Sequence, residues 1–364
     1  MIIRGLLRDA SVRIHSKTYR IHSRIGSRLM IETVLGRVPA ESLGRVSTNE
    51  HVLTDSRHLL RPTREGETLD GPIRPEILGD LRWSYMSLAD NLTLDDPTTA
   101  VDELTWARDA GLDTIVEATS WGMGPRHAEL PGIARRSGIR IVAAYGGYID
   151  KTLPEWWRDL GEAEVEAAYA TALTEAIPGT GFRAGLLGLL GTSAEITTAE
   201  RRGLRAAARA AAAADAAVSI RLDGAARRAP EVVDILTGQG LAARRILFCN
   251  MDKVLDAAYV GDVADSGAVV EFAFGSEHHF ADGARDATDT ERLAFLARLL
   301  DEHPDAAVTL SCSVWTKGQL SRHGGMGYAH VVRRIVPALR RAGVSDARLD
   351  DMLVHAPARL LDRA

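Results

Sequence analysis

Gly44-Arg45-Val46-Ser47-Thr48-Asn49-Glu50-His51-Val52-Leu53-Thr54-Asp55 is the stretch from which the rest of the chain takes its order. It reads as a buried strand that ends in polar residues, with Asn49 and His51 two positions apart on one face. A His-x-His pair at such a place binds metal, but here the first histidine is replaced by Asn49. One imidazole and one carboxamide do not make a zinc site.

Outward from this strand the same pattern recurs. Short β-branched runs fall at Val46–His51, Thr114–Glu117, Ile139–Ala144, Ala184–Gly188, Val218–Leu222, Ile246–Asn250, Val269–Phe272 and Ala307–Ser313. Amphipathic or Ala/Arg/Glu-rich stretches separate them: Thr98–Ala110, Glu162–Glu175, Thr197–Ala214, Pro230–Gln239, Thr290–Leu300 and Tyr328–Arg341. Asp96-Pro97 and Thr197-Thr198-Ala199-Glu200 place a polar cap before a helix. Eight strands alternating with helices predict an α/β fold, a closed (β/α)8 TIM barrel. No Pro/Ser linker interrupts the pattern, so residues 31–364 are expected to form one barrel domain. The Ala-rich run Leu204–Ala217 is ordinary helix, and Arg201, Arg202, Arg205 and Arg209 are its solvated face.

The bulk properties narrow the function. A hydrophobic share of 46% against 26% charged is that of a globular protein with a full core. A net charge of −5 argues against a nucleic-acid footprint. No apolar run approaches the ~18 residues of a membrane span. Cys249 and Cys312 form neither a disulfide framework nor a CxxC motif, so a cytoplasmic location is expected. Residues 1–30 differ from the rest: seven basic residues, from Arg4 to Arg28, are opposed only by Asp9. They are expected to form a basic, loosely ordered arm; a transit peptide or an anion-binding segment is the alternative.

In a barrel of this kind chemistry sits at the C-terminal ends of the strands. The residues to watch are therefore Asn49, His51, Glu117, Tyr148, Leu189, Arg221, Asn250 and Ser313.

Several of these positions lie inside longer motifs. Glu32-Thr33-Val34-Leu35-Gly36-Arg37-Val38-Pro39, Asn49-Glu50-His51, Thr114-Ile115-Val116-Glu117-Ala118-Thr119 and Gly146-Gly147-Tyr148-Ile149-Asp150 are four of them. Arg183 to Ser193, Ser313-Val314-Trp315-Thr316-Lys317 and Gly324-Gly325-Met326-Gly327-Tyr328-Ala329-His330 complete the set. Together they resemble the phosphotriesterase family of the amidohydrolase superfamily over nearly all of residues 31–361. The resemblance implies a barrel holding two divalent metals, usually zinc, with a bridging hydroxide that hydrolyses phosphotriesters, lactones or related esters. It also implies a homodimer, or pairing with a paralogue.

The ligands implied by the resemblance are mostly missing. Asn49 stands for the first histidine of the first strand, and Leu189 for the bridging lysine or glutamate of the fourth. Arg221 and Asn250 stand for the histidines of the fifth and sixth, and Ser313 for the aspartate of the eighth. His51 alone remains. Leucine offers no lone pair, arginine stays protonated, and asparagine and serine are weak donors for zinc. No metal and no other cofactor is therefore expected.

Other candidates read as structural. His278-His279 and His127 are expected in exposed loops, His330 as a hydrogen-bonded structural histidine, and His355 on the surface. Strand alternation should turn Cys249 and Cys312 toward the helices. The glycine-rich stretches Gly122–Gly124 and Gly324–Gly327 match neither a P-loop nor a dinucleotide fingerprint.

What remains is a rebuilt cavity with a guanidinium in it. Arg221 must pair with a protein acid (Glu117, Glu50 or Asp252) or with an anionic ligand. The expected catalytic residues are His51, as acid or base, with Arg221 and Ser313. Asn49, Asn250, Glu117, Tyr148, Trp121 and Trp315 are expected to bind substrate. The favoured reading is a metal-independent, non-hydrolytic enzyme, of lyase, isomerase or cyclase type, acting on an anionic or carbonyl-bearing metabolite. The alternatives are an inactive partner of an active paralogue and a residual metal-dependent ester or lactone hydrolase.

Overall fold

The computed structural model describes residues 29–363, so the basic arm lies almost wholly outside the described residues. Eight parallel strands follow one another around a barrel: β1 (Val46–Glu50), β2 (Thr114–Glu117), β3 (Arg140–Tyr145), β4 (Leu186–Gly191), β5 (Ala217–Arg221), β6 (Ile246–Cys249), β7 (Val269–Ala273) and β8 (Val308–Ser311). Each bound lies within three residues of the sequence expectation, because buried parallel strands are written as nearly continuous β-branched runs.

The seam between β8 and β1 is closed just beyond the regular ladder. Ser313 N donates to Asn49 O at 3.1 Å, and His51 N donates to Val314 O at 3.0 Å. Glu50, fully buried, clamps the same seam, accepting from Cys312 N (2.7 Å), Val314 N (2.9 Å) and Ser47 Oγ (2.5 Å).

Helices α1 (Pro97–Asp109), α2 (Leu130–Ser137), α3 (Glu162–Thr174), α4 (Thr198–Ala213), α5 (Ala229–Thr237), α6 (Ala257–Asp265) and α7 (Asp289–Glu302) alternate with the strands, and α8 (Val336–Arg341) follows β8. Their starts are those the sequence marks. Asp96 accepts from Thr98 N and Thr99 N, and Thr197 and Glu200 form a reciprocal capping box. Arg205 and Arg209 on α4 pair with Glu162 and Glu166 on α3, so that face is laced rather than merely solvated.

Two apolar layers result. The larger packs the outer strand faces against the helices. The smaller fills the barrel with Val46, Val116, Val142, Leu186, Leu189, Leu247 and Cys249. A hairpin of Met30–Thr33 and Gly36–Pro39 is tied to the barrel where Val34 N donates to Ile141 O, and Ile31 joins the inner layer. Among the described residues no helix is long and apolar enough to cross a membrane.

Candidate active site

The strand ends surround a cavity of about 460 Å³. Six of the nine residues expected at the site line it: His51, Arg221 and Ser313, together with Asn250, Tyr148 and Trp315. Leu189, at the position of the bridging ligand, lies in its floor.

Local backbone geometry aims the polar groups. Asn250 and Ser313 end β6 and β8 with φ of 57° and 47°, a left-handed conformation that takes each side chain off the strand's alternation. One consequence corrects the expectation for Cys249. With Asn250 turned by the bend, Cys249 keeps the inward position of β6 and packs with Leu189 inside the barrel. Cys312 does face the helix layer, its thiol reaching Tyr328 O. Burial raises both thiols well above their usual range. Gly191 seats Tyr148: a Cβ there would stand 2.5 Å from Ile149 Cγ2 and 2.9 Å from Tyr148 Cδ2.

Three expected binding residues do not reach the cavity. Asn49 is fully buried beneath it, because a register shift between Ser47 and Glu50 draws its side chain into the barrel. There Asn49 Nδ2 donates to Asn250 Oδ1 at 3.1 Å and approaches Glu271 Oε2 at 3.4 Å. That bond sets the carboxamide of Asn250, leaving its amino group, a donor, for the cavity. Glu117 sits on the outward parity of β2 and accepts from Val52 N at 3.3 Å and from the Thr119 hydroxyl. Trp121 stands apart from the cavity, edge-on to Trp156 with centroids 5.0 Å apart.

His51 is connected to Glu117 through one hydroxyl. Its Nδ1 lies 3.0 Å from Thr119 Oγ1, which in turn donates to Glu117. Thr119 therefore accepts from Nδ1–H, and Nε2 is left with its lone pair. Burial lowers the His51 pKa to about 4, so the ring is neutral near pH 7. Burial also raises Glu117 to about 7, against its hydrogen bonds from Thr119 and Val52.

Arg221 is half-buried, and its guanidinium donates to the backbone carbonyl of Leu222. None of the acids considered from the sequence pairs with it. Glu50 holds the seam, Glu117 serves Thr119, and Asp252 is bound by Arg292 at 2.9 Å. Among the described residues no carboxylate lies within 4.0 Å of Arg221. The site thus contains a cation without a counter-ion.

Two groups at the site escaped the sequence reading. Glu271 stands in the middle of β7, accepting from Asn250 N at 2.6 Å and from the Ser311 hydroxyl. Burial, with the charge of Asp252, raises it to about 8. A lone acid within Val269-Val270-Glu271-Phe272-Ala273 was its signal. His278, expected in an exposed loop, is buried in the cavity wall with Nδ1 3.3 Å from Asp286 Oδ2. His127 is likewise buried, its Nε2 3.2 Å from Ala144 O. His330 is structural as expected, 2.6 Å from Asp289. His355 is exposed.

A model of the phosphotriesterase family matches residues 29–361. The chain belongs to the phosphotriesterase family. Among curated relatives, it is 30% identical to an N-acetyltaurine hydrolase of Danio rerio, over 91% of this chain and 97% of that one. Its identity to the Homo sapiens N-acetyltaurine hydrolase is 26%, over the same shares. Among solved structures, a resiniferatoxin-binding protein from Rhodobacter sphaeroides superposes with a TM-score of 0.87 at 31% identity, covering 92% of this chain and 95% of that one. An organophosphorus hydrolase from Deinococcus radiodurans follows at 0.73 and 27%, covering 92% and 98%.

These names correct the expected reaction. Relatives aligned over nine-tenths of the chain are named hydrolases, which overturns both the lyase, isomerase or cyclase reading and the inactive-partner reading. The lost donors bear on how water is activated, not on which bond is broken.

The paired metals of the family do not fit the residues present. Leu189 packs into the barrel core, Asn49 turns a donor toward Asn250, and Arg221 puts a fixed positive charge where a dication would lie. Among the described residues no group of three or more His, Cys, Asp or Glu is arranged to hold a metal ion.

Proposed function

We propose that this chain is a hydrolase of a small acyl compound carrying one negative charge, and that its own side chains activate the water. The observation that carries the reading is the unpaired guanidinium of Arg221 in the same cavity as a neutral imidazole with a free lone pair. N-acetyltaurine, the compound in the relatives' names, has the required form: an acyl group on one side and a sulfonate on the other.

The roles follow from the donors and acceptors. Arg221 holds the anion, as a guanidinium does well in a partly desolvated site. The free amino group of Asn250 faces the carbonyl oxygen and stabilises the charge that develops there. His51 Nε2 takes a proton from water as its oxygen bonds to the acyl carbon. The imidazolium is supported through Thr119 by Glu117, and the proton passes on to the departing group as its bond to carbon breaks. Ser313 supplies a further hydroxyl beside the reacting centre, while Tyr148 and Trp315 cover the apolar part of the ligand.

The test is release of taurine from N-acetyltaurine by chelator-treated protein of measured metal content. Turnover should persist, and His51→Gln should lower kcat by about 100-fold or more. Activity that returns only on adding zinc, or that survives His51→Gln intact, contradicts the reading.

A further inference from the structure

A second histidine in the cavity wall has no role in the scheme above, and its surroundings define its protonation. His278 Nδ1 lies 3.3 Å from Asp286 Oδ2, while the other carboxylate oxygen accepts from Lys253 Nζ at 2.6 Å. The ring stacks on Tyr85, with centroids 3.3 Å apart and planes 15° from parallel, and Tyr85 is held in turn by Thr316. Asp286 N donates to His278 O at 2.8 Å, so ring and carboxylate are tied by main chain as well.

An ionised carboxylate can only accept. Burial works against that ionisation, but His278 and Lys253 together hold Asp286 well below the usual carboxylate range. The 3.3 Å approach to Oδ2 is not a well-aligned hydrogen bond, but the field of that carboxylate favours the ring proton on Nδ1. Burial also lowers the His278 pKa to about 4, so Nε2 carries no proton near pH 7. Among the described residues nothing hydrogen-bonds Nε2. The wall thus presents a ring nitrogen acceptor that has no protein donor and borders the cavity.

We propose that His278 Nε2 accepts a hydrogen bond from the N–H of the substrate's scissile amide, making the site selective for secondary amides over esters of the same shape. This rests on the hydrolase reading and narrows it. A secondary amide offers one N–H beside its carbonyl, whereas an ester places an oxygen there and leaves two acceptors face to face. His278 is thereby a specificity-determining residue, and Asp286 the positioning residue that sets its tautomer. The loop Gly275–Asp286, after β7, supplies both.

The test compares N-acetyltaurine with 2-acetoxyethanesulfonate, which differs only by oxygen for N–H at the scissile position. Both kcat/KM and, by calorimetry on the full-length protein, Kd are measured. His278→Phe keeps an aromatic ring against Tyr85 and deletes the acceptor. It should weaken amide binding and amide turnover about tenfold while changing the ester less than threefold. His278→Gln, which retains an acceptor oxygen, should recover most of the difference. Asp286→Asn should shift the preference toward the ester, because a carboxamide donor at Nδ1 moves the ring proton to Nε2. Equal losses for both ligands in His278→Phe, or no loss for either, overturn the proposal. If neither ligand is hydrolysed but the amide-over-ester difference in Kd disappears in His278→Phe, the hydrolase reading fails and this one stands.

Discussion

Two arginines in the second half of the barrel are treated in opposite ways. Arg292, on α7, is fully buried and held by two carboxylates, with only its Nη2 left without a hydrogen-bond partner. Its Nε meets Asp252 at 2.9 Å, its Nη1 meets Asp289 at 3.1 Å, and Asp289 also binds His330. Asp252 uses its other oxygen to hold Ala273 N. Arg221 borders the cavity, less deeply buried, and has no carboxylate. Even half-exposed arginines such as Arg205 have carboxylate partners. Arg363, buried without a carboxylate among the described residues, is satisfied instead by the carbonyls of Ala184 and Leu173, whereas the guanidinium of Arg221 borders a cavity and is available to a ligand.

The contrast breaks first at Arg292. Arg292→Ala would leave Asp252 as a buried charge without compensation, costing about 3–5 kcal/mol of stability. Urea unfolding would read this, and a loss under about 1 kcal/mol would mean the network is not structural.

Next in size is a pH effect in the same region. Glu271 has its pKa raised above that of the unfolded chain, so between about pH 4.5 and 8 the native state binds the extra proton. Stability must then fall as pH rises through that window. Glu50 and Glu117, each raised to about 7 by burial, act in the same direction. Glu271→Gln, which imitates the protonated form, should flatten the decline by up to about 1.4 kcal/mol per pH unit. Unfolding midpoints at pH 5.5 and pH 8 would show it; parallel declines in the two proteins would contradict it. His51 and His278 have the opposite sign. Their pKa values are lowered by burial, so their contribution is lost as pH falls from about 6.5 toward 4.

The smallest effect belongs to the laced outer face. Arg205→Ala removes a half-exposed ion pair with Glu162, and its cost should stay below about 1 kcal/mol. A larger loss, measured in the same urea series, would show that helix pairing carries more of the stability than the barrel interior allows.

The architecture was legible in the chain because buried parallel strands and capped helices each leave a periodic mark. Leu189 and Arg221 could be placed because their distance along a strand fixes where they emerge. What alternation could not supply were its own interruptions. The register shift in β1 carried Asn49 below the cavity, and the left-handed turn at Asn250 kept Cys249 inside. Nor could it show that residues 278 and 286 face each other, since that contact is made by a loop folding back on itself. The reaction class was not legible at all, because the absence of five metal ligands constrains how water is activated and says nothing of which bond is cleaved.

The most direct test of an anion anchored without a metal pair is Arg221→Met, examined for N-acetyltaurine affinity and for stability. Binding should weaken roughly 10- to 100-fold, the worth of about 1.5–3 kcal/mol for a hydrogen bond to a charged group, while the unfolding midpoint holds or rises. Unchanged affinity, or a loss of stability like that of Arg292→Ala, would contradict the account.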